Sequence, residues 1–151
     1  MNNQCRILLA CMPKSGSTYL AAILSKLPDS RTTSWVPHHG RREQELCYRR
    51  LREDNEAFPS HANSVAQHHV RYSGTTRVYM KEFNLKPVVL VRNIYDIIPS
   101  LIDHHRLNSV VYPMAYAPAD IAEWNFERSS RFVTDMVIPW YFNFFMSWND
   151  C

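Results

Sequence analysis

Residues 6–28 read RILLACMPKSGSTYLAAILSKLP, and the succession of textures within them decides the fold class. Arg6–Met12 is a short continuous apolar run, as expected of a strand buried on both faces. Pro13-Lys14-Ser15-Gly16-Ser17-Thr18 is a turn of small residues carrying one cation. Behind it Leu20, Ile23, Leu24 and Leu27 recur at i, i+3, i+4 and i+7, one face of an amphipathic helix that Pro28 ends. Strand, polar loop, helix is the opening of a parallel α/β sheet.

The rest of the chain continues that alternation. Arg31–Val36 reads as a short second strand and Pro37–Gly40 as a loop. Arg41–Phe58 reads as a charged helix with Glu45/Arg49 and Arg49/Glu53 pairs at i, i+4. Ser64–Val70 is a candidate third strand, followed by a helix over Thr75–Phe83. Lys86–Val91 is the second strongly apolar strand, with Arg92-Asn93 at its carboxyl end. Asp96 is the candidate cap of the next helix, where Ile94, Ile97, Ile98, Leu101 and Ile102 keep helical spacing. Pro99 is tolerable there if it falls in the first turn, whose N–H groups have no helical partner. After a loop at Tyr112–Pro118, the segments Ala119–Val137 and Ile138–Trp148 both read as helical. With no repeat, low-complexity stretch or linker, the expectation is one domain over residues 1–151.

Composition narrows the function classes. Of 151 residues, 46% are hydrophobic and 21% charged, enough apolar side chain for a packed core. No apolar run approaches the ~20 residues of a membrane span. The net charge is +3, but it is unevenly spread. Through Arg92 basic residues outnumber acidic ones, and beyond it the balance reverses, so an anion site belongs in the first part. The basic residues are scattered and lack an aromatic platform, which argues against nucleic acid. Arg41, Arg42, Arg49, Arg50 and Arg52 read as a solvated helix face. Cys5, Cys11, Cys47 and Cys151 form no CxxC pair, and no histidines stand at zinc spacing around them. Cys5 and Cys11 are expected to be reduced thiols in the buried first strand. The N-terminus has no basic region followed by a long apolar one, so the predicted setting is cytoplasmic.

The turn after the first strand carries the chemistry. Backbone N–H groups of a tight loop, continued into a helix N-terminus, form a cradle for an anion. Gly16 admits close approach, Ser15, Ser17 and Thr18 supply hydroxyls, and Lys14 supplies a mobile charge. The nucleotide-triphosphatase pattern GxxxxGK[ST] places Lys directly after its second Gly. Here Lys14 precedes the glycine, and no strand ends in a clear metal-binding Asp.

Pro13-Lys14-Ser15-Gly16-Ser17-Thr18-Tyr19-Leu20 resembles the 5′-phosphosulfate loop, commonly PKSGTTWL, of sulfotransferases that use 3′-phosphoadenosine 5′-phosphosulfate (PAPS). The departures, Ser17 for Thr and Tyr19 for Trp, keep the hydroxyl and the aromatic face. Arg92-Asn93-Ile94-Tyr95-Asp96-Ile97-Ile98-Pro99-Ser100 resembles the same family's 3′-phosphate motif, with Ser eight positions after Arg. The resemblance spans roughly Arg6 to Arg106 and implies a three-layer P-loop-type fold, a largely parallel sheet flanked by helices. It implies PAPS as sulfuryl donor, PAP as product and no metal. By the family's pattern Lys14, Ser15, Gly16, Ser17 and Thr18 hold the 5′-phosphosulfate, Tyr19 stacks on adenine, and Arg92 and Ser100 hold the 3′-phosphate. Lys14 also stabilises charge on the bridging oxygen as sulfuryl leaves.

In cytosolic members a His at a strand end serves as base, and Gln67-His68-His69-Val70 occupies that stretch here. Neighbouring strand residues face opposite ways, so only one of the two histidines can point at the site. His69 is preferred because an apolar residue follows it, as in the family; His68 is the alternative. His38-His39 and His104-His105 share the same limitation, and no spacing supports a metal site made from them.

The expected partner is a small-molecule or carbohydrate acceptor of unspecified identity. The aromatic stretch Trp140–Trp148 is expected to be core, with self-association through it as an option. The alternatives to catalysis of sulfuryl transfer are a non-catalytic module retaining the loop and a small P-loop kinase. The family implies one more strand and a glycine-containing loop over the 3′-phosphate. Neither is found, and no glycine follows Gly74, so a truncated or partner-covered domain is the expectation.

Overall fold

The computed structural model describes residues 5–37, 44–57, 63–107 and 117–149. Its centre is strand β1 (Arg6–Cys11), followed by helix α1 (Ser17–Leu24), strand β2 (Ser30–Thr32), helix α2 (Tyr48–Ala57) and strand β3 (Asn63–His68). Helix α3 (Gly74–Glu82), strand β4 (Leu85–Leu90) and helix α4 (Ile94–Leu107) complete the sheet region. A turn of 3₁₀ helix (Ile121–Glu123) then leads into α5 (Phe126–Phe132), a π-helical turn (Val133–Val137) and α6 (Ile138–Asn149).

The sheet is all-parallel in the order β2-β3-β1-β4. With strands of one direction, every crossover must carry a helix, and the helices cover both faces of β1. Leu8, Leu9, Ala10 and Cys11 are fully buried as a result. On one face Leu8 and Ala10 join Trp35, Leu51, Ile97, Leu101, Val137, Tyr141 and Phe144 in the main core. On the other, α1 packs against β1 and β3. This is the three-layer α/β architecture that the resemblance implies, built on the parallel sheet expected from the alternation of strands and helices.

Strand β4 lies at the edge of the sheet, in register with β1 from Arg6↔Leu85 to Cys11↔Leu90. The Met12 N–H donates to the Leu90 carbonyl. Parallel pairing alternates the side to which successive residues present backbone groups. Lys86, Val88 and Leu90 therefore face β1, and Pro87 faces outward. That is where a residue without an N–H can be accommodated.

Several boundaries differ from expectation for physical reasons. β2 stops at Thr32, because Trp35 turns into the core and its backbone N–H is held by a side chain instead. α2 begins at Tyr48, not Arg41; residues 41–43 and 58 lie outside the described set, while Gln44 bridges Val70 as extended chain. Glu45 thus precedes the helix and cannot pair with Arg49 across a turn, whereas Arg49–Glu53 and Arg52–Glu56 do pair. Cys5 precedes β1 and is exposed, so of the two amino-terminal thiols Cys11 alone is core. Asn93, not Asp96, caps α4: its side chain accepts from the Tyr95 N–H, and Asp96 sits within the first turn. Pro99 is the sixth residue of α4, beyond the first turn, and deprives the Tyr95 carbonyl of its helical donor. The segment Ala119–Val137 is broken into 3₁₀, α and π turns rather than one helix.

Trp140, Tyr141, Phe144 and Trp148 are buried in the core as expected, whereas Phe142, Phe145 and Met146 on the opposite side of α6 are exposed. No helix among the described residues is long and apolar enough to cross a membrane.

Candidate functional site

The loop between β1 and α1 is shaped by two left-handed residues, Lys14 at φ 63° and Gly16 at φ 84°. Glycine adopts that conformation without penalty, whereas for Lys14 it costs on the order of 1 kcal/mol, a strain of the kind found in ligand clamps. Both the N–H and the hydroxyl of Ser15 bond the Met12 carbonyl, closing the turn. The first i, i+4 bond of α1 runs from the Leu20 N–H to the Gly16 carbonyl. The N–H groups of Gly16, Ser17 and Thr18 therefore precede the helical ladder, at the positive end of the helix dipole. A Cβ on Gly16 would meet nothing within 4 Å, so the space over this cradle is open. Tyr19 stands beside it with 75% of its surface exposed.

Ser17 departs from the expected arrangement. It is buried, and its hydroxyl accepts from the Gln67 amide at 2.9 Å. Its side chain therefore ties α1 to β3. Cys11 lies beneath the same contact. Burial pushes its thiol up to about 11, against the opposing pull of hydrogen bonds with Ser17 and Gln67. The thiol is protonated at neutral pH and is no nucleophile.

β4 delivers Arg92 to this loop. Because β4 is the neighbour of β1, their carboxyl ends emerge side by side, and the exposed Arg92 guanidinium donates to the Lys14 carbonyl at 2.9 Å. Two motifs separated by 78 positions are thus in contact. Ser100 is half-buried on α4, eight positions after Arg92.

β3 presents the two histidines to opposite faces. His68 is fully buried, and its Nε2 accepts from the Trp35 backbone N–H at 3.0 Å. That role is architectural, and His68 does not reach the open side of the loop. His69 Nδ1 lies 2.8 Å from the Cys11 carbonyl, which can only accept, so Nδ1 carries the proton and Nε2 is the basic nitrogen. Burial holds the His69 imidazole below its ordinary pKa, outweighing the carbonyl's opposing effect. His69 therefore remains neutral at neutral pH, as a base must. It lines a cleft of about 460 Å³ together with Ala21, Thr32, Thr33, Ser34, Gln44, Val65 and Gln67.

The family model for the sulfotransferase domain matches residues 4–150. The chain belongs to the sulfotransferase domain family. No curated protein and no solved structure matches it. The α/β architecture with its all-parallel sheet is the one this family membership requires.

Within the sulfotransferase domain, three supporting residues escape sequence reasoning. Tyr141 on α6 donates its hydroxyl to the Pro13 carbonyl at 3.1 Å, bracing the loop from 128 positions away. Gln67 links Ser17 to the cleft, and Gln44 accepts the His69 backbone N–H. None has a local signal, since a lone glutamine or tyrosine carries no mark of its distant partner. His104 is the exception. One helical turn after Ser100, it is held below its ordinary pKa by burial and then by the charge of Lys14. Its position at i+4 from a motif residue was visible in the chain. Among the described residues no group of three or more His, Cys, Asp or Glu side chains is gathered to hold a metal ion. His38 and His39 lie outside the described residues.

Proposed function

We propose that this sulfotransferase takes its sulfuryl group from PAPS and passes it to an acceptor hydroxyl or amine. The observation that carries the reading is the Arg92–Lys14 contact, which joins two anion-binding motifs at the carboxyl ends of adjacent strands. Ligands of open α/β sheets bind at that edge. A nucleotide bearing phosphates at both its 5′ and 3′ positions matches two cationic sites joined in this way.

The residues present fit such a donor. The N–H groups opening α1 and the Lys14 ammonium would hold the 5′-phosphosulfate, Arg92 and Ser100 the 3′-phosphate, and Tyr19 the adenine face. The donor supplies an activated sulfur whose bond to the phosphate oxygen breaks as the acceptor oxygen bonds to it. His69 Nε2 takes the acceptor proton, and its Nδ1–H bond to Cys11 fixes the imidazole in the tautomer able to do so. Lys14 stabilises the negative charge left on the departing phosphate. A kinase reading is disfavoured because Lys14 precedes Gly16 instead of following it.

Calorimetry with adenosine 3′,5′-bisphosphate tests the proposal. Binding is expected, weakened by Lys14→Ala and by Arg92→Ala. No binding, or equal binding to wild type and both variants, refutes it. Labelled PAPS then separates turnover from mere retention of the nucleotide.

A further inference from the structure

The cleft beside His69 has a chemical bias that bears on the acceptor. Its polar wall is built from neutral groups: the hydroxyls of Thr32, Thr33 and Ser34, the amides of Gln44 and Gln67, and the His69 imidazole. Ala21 and Val65 provide the apolar part. Among the described residues its lining holds no Lys, Arg, Asp or Glu and no Phe, Tyr or Trp.

Most of these groups have already committed their protons inward. Thr33 donates to Asp54 Oδ1 at 2.7 Å, and Ser34 to the Val36 carbonyl at 3.3 Å. The Gln67 amide N–H donates to Ser17, and His69 Nδ1–H to Cys11. What remains toward the cleft is mainly acceptors, hydroxyl lone pairs, Gln67 Oε1 and His69 Nε2, with the Thr32 hydroxyl able to donate as well. Such a wall matches a ligand rich in O–H donors. A phenol or steroid would cover several of these polar groups with apolar surface and leave their hydrogen bonds unmade. Among the described lining residues an anionic acceptor would find no cation, and an ammonium no carboxylate.

We infer that the cleft takes a neutral, hydroxyl-rich acceptor of the carbohydrate class, selected by Thr32, Thr33, Ser34 and Gln67. Its role as acceptor rests on the sulfotransfer reading proposed above; its ligand chemistry rests on the lining alone. Thr32 is exposed on β2 and Ser34 is half-buried beyond its end, so neither is needed to hold the core together.

The test follows the His69 imidazole by NMR in the full chain during titration with maltotriose, 2-naphthol or a heparin disaccharide. Maltotriose should shift His69 saturably, and Thr32→Val with Ser34→Ala should raise its dissociation constant about 10-fold. 2-Naphthol and the heparin disaccharide should leave His69 unmoved at the same concentrations. The inference is overturned if either of those two shifts His69 in preference to maltotriose, or if maltotriose produces no shift. Adenosine 3′,5′-bisphosphate titrated into the same samples keeps the two readings apart. Nucleotide binding with 2-naphthol at His69 sinks the acceptor class alone; saccharide binding without nucleotide binding sustains the ligand class and sinks the donor.

Discussion

The two ends of the sheet each carry an arginine, one on the central strand β1 and one just after the edge strand β4, and the two are used in opposite ways. At the amino end Arg6 is buried, and its guanidinium bonds Asp54, Asn55 and the carbonyls of Leu51 and Phe83. Arg31 and Thr33 bond the other Asp54 oxygen. Burial alone would raise the Asp54 carboxyl, but the hydrogen bonds from Thr33 and Arg31 and the Arg31 charge hold it below its usual range. At the carboxyl end Arg92 is exposed and donates to one backbone carbonyl, that of Lys14. The contrast teaches how to tell a structural charge from a functional one. A buried guanidinium whose terminal N–H groups are taken up by the protein has none of them left for a ligand, whereas one with donors facing solvent does.

Mutations can break that comparison or sharpen it. Asp54→Ala should be the most damaging to the fold, because it leaves the buried Arg6 charge without its anion. A loss of about 3–5 kcal/mol is expected, read by denaturant unfolding. His69→Gln should lower the rate of transfer by about 10²–10⁴-fold with nucleotide affinity unchanged, since it removes a proton acceptor and no phosphate contact. Arg92→Ala should weaken adenosine 3′,5′-bisphosphate by about 1.5–3 kcal/mol, the range of a charge-assisted hydrogen bond. Its unfolding free energy should stay within about 0.5 kcal/mol of wild type, because the side chain is solvated. If Arg92→Ala proves as destabilising as Asp54→Ala, the distinction between the two ends fails.

Acid unfolding adds a smaller effect. Burial, followed by the nearby His104, lowers the His105 pKa to about 4. A depressed histidine is neutral in the native state but takes up a proton when unfolded, so the unfolded chain binds more protons in between. Stability should therefore fall as the pH drops from about 6.5 toward 4, by up to about 1.4 kcal/mol per pH unit for this group. His105→Asn should flatten the slope in that window. Smallest of all, Arg49→Ala on the solvated face of α2 should leave the denaturant midpoint of unfolding unchanged.

The parts of this molecule that were legible in its chain are those with a local cause. An apolar run followed by Pro13–Thr18 and a helical stripe dictates β1, the loop and α1, because each depends on neighbours within a turn or two. The Arg92 motif was legible for the same reason. The histidine pair was half legible: alternation requires that one face away, but only the packing of Trp35 against His68 shows which. The early end of β2 and the late start of α2 were hidden, since both depend on contacts between Trp35, Cys47, Gln44 and Val70. The contact of the Ser17 hydroxyl with Gln67 was hidden, since the two lie 50 positions apart.

The outward placement of Pro87 bears finally on how this protein behaves in concentrated solution. A parallel edge is a template for strand addition, and β4 brings exposed Val88 and Val89 to it. Of the residues that β4 turns outward, Leu85, Pro87 and Val89, Pro87 in the middle lacks a donor, and Lys86 places a charge beside the gap. A strand approaching that edge from another molecule meets a break in its regular bonds between Leu85 and Val89. The same residue that β1 tolerates as a neighbour thus shortens the stretch on which aggregation could nucleate.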